Sequence, residues 1–556
     1  MSLGKNITDT FAFWRDNEFF DADTRAELAA VTDEKEIEDR FWCDLEFGTG
    51  GLRGVMGAGT NRMNAYIIRK ATRGLANYIN ANFGEEAKRG VAIAYDSRNN
   101  SAIFAREAAL TLAAAGVPAY LYTELMPTPV LSFTVRHLGC ISGIVVTASH
   151  NPKEYNGYKV YDKNGCQVCL EEAERIIGCV NAITDLTSIP VMDEEAAKEA
   201  GLLHLIGREV LDVFCDTVKK QYNGLEKNDL HVVYTALHGT GNVPVRQVLG
   251  DLGFKVTIIP EQELPDGNFP TVISPNPENA EALSIGIKKC EELGADLVIG
   301  TDPDCDRVGI AVNTPNGIRI MTGNQVGALL VNYLAMRRQA SLTPNTAVIK
   351  TIVTSELGAV IAEKYGLTVF NTLTGFKFIG EHICNFEKTG SHSFLMGYEE
   401  SYGYLIGTHA RDKDAVVASM MICEMAAYYK AQGKNLSDVL EEIYAEHGYY
   451  LDTLDSYTLK GKDGQEKIKA IMETLREKGT SLMPGIDRIS DYKDGIEGLP
   501  KTNVLKYWMG GSWVAVRPSG TEPKIKIYYS VRGDDQAAAK KLLEERRAVF
   551  AAIIGE

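Results

Sequence analysis

The sequence predicts an α/β protein: three similar α/β units, then a smaller C-terminal α+β unit. Three observations predict it. Short apolar, β-branched runs alternate with stretches of helical composition, the signature of an α/β layer, and the alternation restarts near residues 230 and 323. Several of these runs end in loops rich in Ser, Asp, Glu, Arg and Gly. After residue 450 the pattern changes to alternating β-branched pieces ahead of one Ala/Leu/Glu/Arg-rich helix. A chain of 556 residues also has room for several buried cores.

Along the chain, the first fifty residues read as a helical arm, with Asp33 as a cap, Glu36 three residues on as in a capping box, and helix towards Phe41. Glycines crowd residues 48–59, which predicts a loop, and 65–83 predicts a helix. A strand over 90–95 leads into the polar turn Asp96-Ser97-Arg98-Asn99-Asn100, followed by a helix over 101–115 and strands over 117–121 and 141–147. The second unit predicts strands at 230–235, 255–259 and 297–300, with helices at 243–252 and 279–293. The third predicts helices at 328–338, 357–365 and 415–430, with strands at 346–351, 368–371 and 393–398. Strands at 513–516 and 524–530 and a helix at 535–551 complete the chain. Domain boundaries are expected near 205, 325 and 450, giving units 1–205, 206–325, 326–450 and 451–556.

Composition narrows the class. Hydrophobic residues at 45% and charged residues at 24% are ordinary for a soluble globular protein. With 58 basic and 74 acidic residues the net charge is −16, which disfavours nucleic acid and anionic membrane as partners but leaves room for a basic cleft that binds a small anion. The polar start Met1-Ser2-Leu3-Gly4-Lys5 gives no sign of a signal peptide, and the apolar run 326–336 is too short to span a bilayer. Ten scattered cysteines suit a reducing cytoplasm. Cys166 and Cys169 have CxxC spacing, but no second pair completes a metal site and no thioredoxin-like strand precedes them, so they read as incidental thiols.

Four loops carry chemistry. Thr147-Ala148-Ser149-His150-Asn151-Pro152 follows a strand and offers a hydroxyl at a strand end, although Ser and Asn are also ordinary turn residues and no G-x-S-x-G elbow surrounds Ser149. Thr301-Asp302-Pro303-Asp304-Cys305-Asp306-Arg307 places three carboxylates at i, i+2 and i+4, with Cys305 on the wrong parity to join them. Three such charges call for a cation, and hard oxygen donors favour Mg²⁺ over Zn²⁺; a solvated acidic turn is the plainer alternative. Gly397-Tyr398-Glu399-Glu400-Ser401-Tyr402-Gly403 can accept hydrogen bonds from sugar hydroxyls, or be a plain turn. Arg517-Pro518-Ser519-Gly520-Thr521-Glu522-Pro523-Lys524 combines a guanidinium, two hydroxyls and glycine-framed backbone into a phosphate cradle, without the P-loop pattern.

Together these loops, from about Phe47 to the last helix, resemble the α-D-phosphohexomutase superfamily, most closely its bacterial phosphoglucomutase branch. The resemblance implies four domains, three with mixed sheets and a C-terminal α+β domain, around a central cleft. It implies that Ser149 is a phosphoserine and that its phosphate oxygen, Asp302, Asp304 and Asp306 hold one Mg²⁺. Arg307 would steady the transferring phosphoryl group, Glu399 and Ser401 would hold sugar hydroxyls, and Arg517, Ser519, Gly520 and Thr521 would clamp the non-reacting phosphate. Lys159, in Asn156-Gly157-Tyr158-Lys159, resembles the active-site lysine, Arg53 an active-site arginine, and Lys413, in Arg411-Asp412-Lys413-Asp414, a catalytic lysine; Lys159, Lys413 and His150 compete as general base.

The implied reaction is the reversible conversion of α-D-glucose 1-phosphate to D-glucose 6-phosphate by a cytoplasmic isomerase, through a phosphoserine enzyme and glucose 1,6-bisphosphate, which also serves as activator. Phosphomannomutase or phosphopentomutase activity is the alternative within the class; a metal-dependent phosphatase or a noncatalytic sugar-phosphate-binding protein lies outside it. The implied partners are small sugar phosphates, with the chain a monomer or homodimer.

Overall fold

The computed structural model describes residues 5–48, 50–459, 461–519 and 524–555. They divide into two units, one formed by Met1–Met321, Phe376–Gly390 and Tyr402–Ala431, the other by Thr322–Gly375, Ser391–Ser401 and Gln432–Glu556.

In the first unit, helices Lys5–Asp16, Ala22–Ala30 and Glu34–Phe41 bury Phe11, Trp14, Phe20, Leu28, Ile37 and Phe41 around Tyr66. Asp33 caps the third helix by accepting the Lys35 N–H at 3.1 Å. The expected capping box is not completed: Glu36 pairs with Arg40 one turn on, at 2.9 Å, a charge-assisted bond that outcompetes a backbone N–H.

A six-stranded mixed sheet follows. Its strands are β1 (Gly51–Val55), β2 (Val91–Tyr95), β3 (Ala119–Tyr122), β4 (Ser142–Val146), β5 (Tyr155–Tyr161) and β6 (Leu203–Ile206), in the order β1-β5-β4-β2-β3-β6. β2, β3, β4 and β6 are parallel neighbours, while β5 runs antiparallel to both β4 and β1. β1 lies inside the stretch expected to be a loop. It pairs Gly51 with Lys159 and Arg53 with Gly157, and a Cβ on Gly51 (φ +125°) would stand 1.8 Å from the Tyr158 carbonyl oxygen. The glycine therefore permits the strand rather than breaking it. Tyr95 is opposite Val146, so the polar residues that follow them, Asp96 and Thr147, leave the sheet side by side at its carboxyl edge.

The next sheet comprises β7 (His231–Thr235), β8 (Lys255–Ile258), β9 (Leu297–Thr301), β10 (Val308–Thr314) and β11 (Gly317–Met321), ordered β11-β10-β9-β7-β8. β9 and β10 are antiparallel with Thr301 opposite Val308, so the acidic string 302–307 is the loop of a hairpin. Val233, Ile259, Val298 and Ala311 form part of its core.

In the second unit, β12 (Thr346–Thr351) lies between parallel partners β13 (Thr368–Thr372) and β14 (Ser393–Glu399). Helix Gly323–Arg337 starts five residues earlier than expected, because Thr322 and Gln325 close a capping box. The short strand β15 (Gly403–Ile406) belongs to the first unit, where Gly403 bridges to Arg307. The C-terminal sheet is antiparallel, β16 (Tyr449–Thr458), β20 (Lys524–Gly533), β19 (Ser512–Pro518), β18 (Leu505–Met509) and β17 (Arg488–Asp491) in that order, with its core closed by Leu543, Phe550 and Ile554 of helix Gln536–Ile554. Three α/β parts and one α+β part match the expected fold class. No helix among the described residues is long and apolar enough to cross a membrane.

Candidate active site

Ser149 has a left-handed backbone (φ +51°), a conformation a serine holds only where its surroundings impose it. Those surroundings are explicit. The Ser149 N–H donates to Thr147 Oγ1 at 2.7 Å, and Thr147 Oγ1 donates to Asp96 at 2.7 Å. Asp96 also accepts from the Arg98 N–H at 3.0 Å and Ser101 Oγ at 2.8 Å. The Arg98 guanidinium then donates to four backbone carbonyls of the loop: Ser149 at 2.5 Å, Asn151, Pro152 at 2.8 Å and Tyr155 at 3.1 Å. Gly157 on β5 lets the chain pass, since a Cβ there would come within 2.4 Å of the Thr147 oxygen. The hydroxyl held this way donates to Asp302 Oδ2 at 2.6 Å, with His150 Nδ1 3.2 Å away.

The acidic hairpin loop is equally fixed. Asp302 Oδ1 accepts the N–H groups of Asp306 and Arg307 at 3.0 and 2.9 Å, and Pro303 O accepts from Thr240 N and Oγ1 at 2.8 and 2.9 Å. Asp302, Asp304 and Asp306 are all buried, and one oxygen of each lies within 4.8 Å of the others. Thr128 donates to Asp304 Oδ2 at 2.9 Å and Lys159 to the same oxygen at 2.8 Å; Lys159 is 3.5 Å and Lys413 3.0 Å from Asp306 Oδ2. The Oδ1 atoms of Asp304 and Asp306 are buried with no hydrogen-bond partner among the described residues. Burial, then the charges of Asp304 and Asp306, push Asp302 well above the usual carboxylate range. Three buried carboxylates, two of them with an unsatisfied oxygen and no imidazole or thiolate among them, fit a hard divalent cation such as Mg²⁺.

The cationic rim comes from four elements. Arg53 sits on β1, Lys159 on β5, Arg307 at the end of the hairpin loop and Lys413 before helix Ala415–Lys430. Arg307 pairs with Glu278 at 2.5 Å. Lys413 is braced by Asp412 at 3.1 Å, which accepts from Tyr161 OH at 2.7 Å, and the stem of Lys413 lies where a Gly403 Cβ would come within 2.2 Å of it. Burial opposes the Lys159 charge, but Asp304 and Asp306 outweigh it and raise Lys159 above the ordinary lysine value. Burial, then the Arg307 and Arg53 guanidinium charges, push His150 well below its ordinary value, so its ring is neutral at neutral pH.

The structure thus brings Ser149, His150, Lys159, Asp302, Asp304, Asp306, Arg307 and Lys413 into one charged cluster, with Arg53 near enough for its charge to act on His150. In the second unit Glu399 is buried and accepts the Gly375 N–H at 2.8 Å, while Ser401 is half-buried. Glu400 accepts from Thr351 and Thr354 at 3.2 and 3.1 Å. Burial, then Glu400, raise the Tyr528 hydroxyl, which Arg517 hydrogen-bonds and Glu399 also influences; Arg517 and the 397–403 string therefore share one neighbourhood in that unit. The Ser519 N–H donates to Lys524 O at 2.8 Å, and Gly520 and Thr521 lie outside the described residues.

Arg98, Asp96, Thr128, Glu278 and Asp412 were not singled out from sequence. The polar string 96–100 at a strand end was the available signal for Asp96 and Arg98. Thr128, between two prolines, carried none.

Comparison with known proteins agrees with the geometry. Family models described as phosphoglucomutase/phosphomannomutase alpha/beta/alpha domains I, II and III match residues 44–187, 212–317 and 322–447, and the C-terminal domain of the same family matches 462–549. A phosphoglucomutase of Staphylococcus saprophyticus is 37% identical over 513 residues, covering 90% of this chain and 92% of the relative. Two solved structures share the fold at 20% identity: pp63/parafusin, a phosphoglucomutase of Paramecium in an open form (TM-score 0.70, covering 92% and 96% of the two chains), and a phosphoglucomutase/phosphomannomutase family protein of Burkholderia thailandensis (TM-score 0.69, 92% and 97%).

Proposed function

Since this chain belongs to the phosphoglucomutase/phosphomannomutase family, we infer that it is a phosphoglucomutase that interconverts α-D-glucose 1-phosphate and D-glucose 6-phosphate through a phosphorylated Ser149. The observation that carries this reading is the Ser149 hydroxyl, held in a strained loop 2.6 Å from Asp302 at the edge of three buried carboxylates.

Asp302, Asp304, Asp306 and a phosphate oxygen on Ser149 would hold Mg²⁺, which would neutralise charge on the transferring group and fix its orientation. The chain's own residues do the rest. Phosphoserine 149 donates its phosphoryl group to the sugar O6, and Arg307, with Lys413 and Lys159 beside the carboxylates, offsets the charge that spreads over the phosphoryl oxygens. The resulting glucose 1,6-bisphosphate turns over and returns its C1 phosphate to Ser149. Lys159, Lys413 and His150 are the candidates for the base that takes and returns the hydroxyl proton. We assign Glu399 and Ser401 to the sugar hydroxyls, and Arg517, Ser519, Gly520 and Thr521 to the phosphate that is not reacting. Glucose 1,6-bisphosphate serves as activator because it rephosphorylates Ser149. The reading includes four domains bounded near 205, 325 and 450, a monomer or homodimer, and a cytoplasmic location, for which the scattered cysteines are the support.

The test is a panel of glucose, mannose, ribose and glucosamine 1-phosphates with Mg²⁺ and catalytic sugar bisphosphate, following isomer formation and free phosphate together. Highest kcat/KM for glucose 1-phosphate with little phosphate release is expected. Preference for mannose or ribose would move the assignment to a phosphomannomutase or phosphopentomutase, and release of phosphate exceeding isomerisation would make the protein a phosphatase.

A further inference from the structure

The CxxC spacing points to the wrong partner for Cys166. Its Sγ lies 3.4 Å from Sγ of Cys384, 218 positions along the chain on helix Phe376–Thr389 of the same unit. Cys169 instead begins helix Leu170–Asn181 and faces Glu381 at 3.9 Å.

The approach of the two thiols is built in. Asp162 accepts the N–H groups of Asn164 and Cys166 at 2.9 and 3.0 Å, which closes the turn that presents Cys166. Gly165 (φ +76°) sits where a Cβ would come within 2.4 Å of the Ser132 oxygen. On the opposite side, a Cβ on Gly380 would stand 2.9 Å from the Cys166 sulfur and 2.5 Å from the Arg411 oxygen, so only glycine lets the helix come this close. Arg411 is buried beside the pair, anchored to Glu387 at 2.5 Å, and its guanidinium hydrogen-bonds Cys384. Cys384 is half-buried, Cys166 buried.

We propose that Cys384 and Cys166 form a reversible dithiol–disulfide modification site that reacts with hydroperoxides, with Cys384 as the attacking thiol and Cys166 as the resolving one. The chemistry supports this division. The hydrogen bond from Cys166, and then the Arg411 charge, overcome burial and hold the Cys384 thiol below the ordinary cysteine value, which favours its thiolate. Cys169 is pushed up to about 12 by burial and Glu381 and stays a thiol.

The Cys384 thiolate attacks one oxygen of the peroxide. The O–O bond breaks, hydroxide leaves and takes a proton to become water, and Cys384 becomes a sulfenic acid. The Cys166 sulfur, losing its proton, attacks the Cys384 sulfur and displaces hydroxide, which takes that proton as a second water. Two thiols lose two electrons and one peroxide gains them. An external thiol reverses the step by exchange.

The test treats the full-length reduced protein with hydrogen peroxide, alkylates remaining thiols after denaturation, and maps cross-linked peptides by mass spectrometry, with circular dichroism to confirm that each variant is folded. The expected results are loss of both the Cys166 and Cys384 thiols, one cross-linked peptide joining them, and full recovery with dithiothreitol. Cys169→Ser should behave as wild type, Cys384→Ser should form no cross-link, and Cys166→Ser should stop at a sulfenic acid on Cys384 trapped by dimedone. A Cys166–Cys169 cross-link, dependence on Cys169, or retention of both thiols in the folded protein would overturn the proposal.

Discussion

At Arg98 a single side chain holds the carbonyls of Ser149, Asn151, Pro152 and Tyr155, so the left-handed serine is set largely by one guanidinium that need not touch substrate. A lysine there has one ammonium and cannot reach all four. The Arg98→Lys variant should stay folded but let the Ser149 loop drift. A reacting oxygen misplaced by about 1 Å costs on the order of 10²-fold in rate. The expected outcome in steady-state kinetics is therefore a kcat loss of about 10²-fold with KM changed less than about 3-fold. Equal losses in kcat and in the protein's thermal stability, recovered together on stabilisation, would mean that Arg98 serves the fold alone.

At the scale of elements, Gly51 shows how the site depends on a strand that composition disguises. Replacing it by alanine places a Cβ 1.8 Å from the Tyr158 oxygen at a backbone φ of +125° and separates β1 from β5. Strain and lost pairing of this kind cost about 2–4 kcal/mol, which denaturant unfolding should register, and activity should fall with it because Arg53 rides on β1 and Lys159 on β5. The same element shows what the sequence conceals. Strands such as β7 and β9 are legible because runs like Val232-Val233 and Leu297-Val298-Ile299 are apolar and β-branched, and the loop that follows β9 is strongly polar. β1 and β5 are not, because one is glycine-rich and the other, Tyr155–Tyr161, mixes aromatic and polar residues; β1 is a strand by pairing with β5, and β5 by lying between β1 and β4. The serine and aspartate loops were legible as local strings. The bonds from Arg98 to the serine loop, from Thr128 to Asp304 and between Cys166 and Cys384 were not, since local patterning says nothing of residues joined only by the fold.

At the scale of the molecule, stability of the second unit should carry a signature of its buried ions. Glu356 accepts from Lys350 at 3.1 Å and from Lys506 at 3.2 Å, joining the β12 side to the C-terminal sheet, and Lys506 lies 4.0 and 4.1 Å from the Trp508 and Trp513 ring centres. Burial opposes the Glu356 charge, but Lys350 and Lys506 prevail and hold it at about 2, against 4.5 for a free glutamate. Because the folded value is the lower one, this contribution is complete above pH 4.5 and lost as pH falls towards about 2, roughly 3 kcal/mol across that window. Glu356→Gln should remove that share of the acid dependence and, at neutral pH, cost about 3–5 kcal/mol by taking the carboxylate partner from two buried lysines. Unfolding followed by tryptophan fluorescence across pH checks both. An unchanged acid limb in the variant would mean that other carboxylates carry it.

Whether Ser149 carries the phosphate is open to direct measurement. The purified protein is incubated with Mg²⁺ and glucose 1,6-bisphosphate, the phosphorylated residue is mapped by mass spectrometry, and its phosphate is chased onto glucose 6-phosphate or glucose 1-phosphate. The expected result is phosphate on Ser149 that leaves at a rate matching kcat, with a Ser149→Ala protein that takes up no phosphate and loses at least about 10³-fold in turnover. Full isomerase activity in Ser149→Ala, or phosphate carried on a different residue, would contradict it.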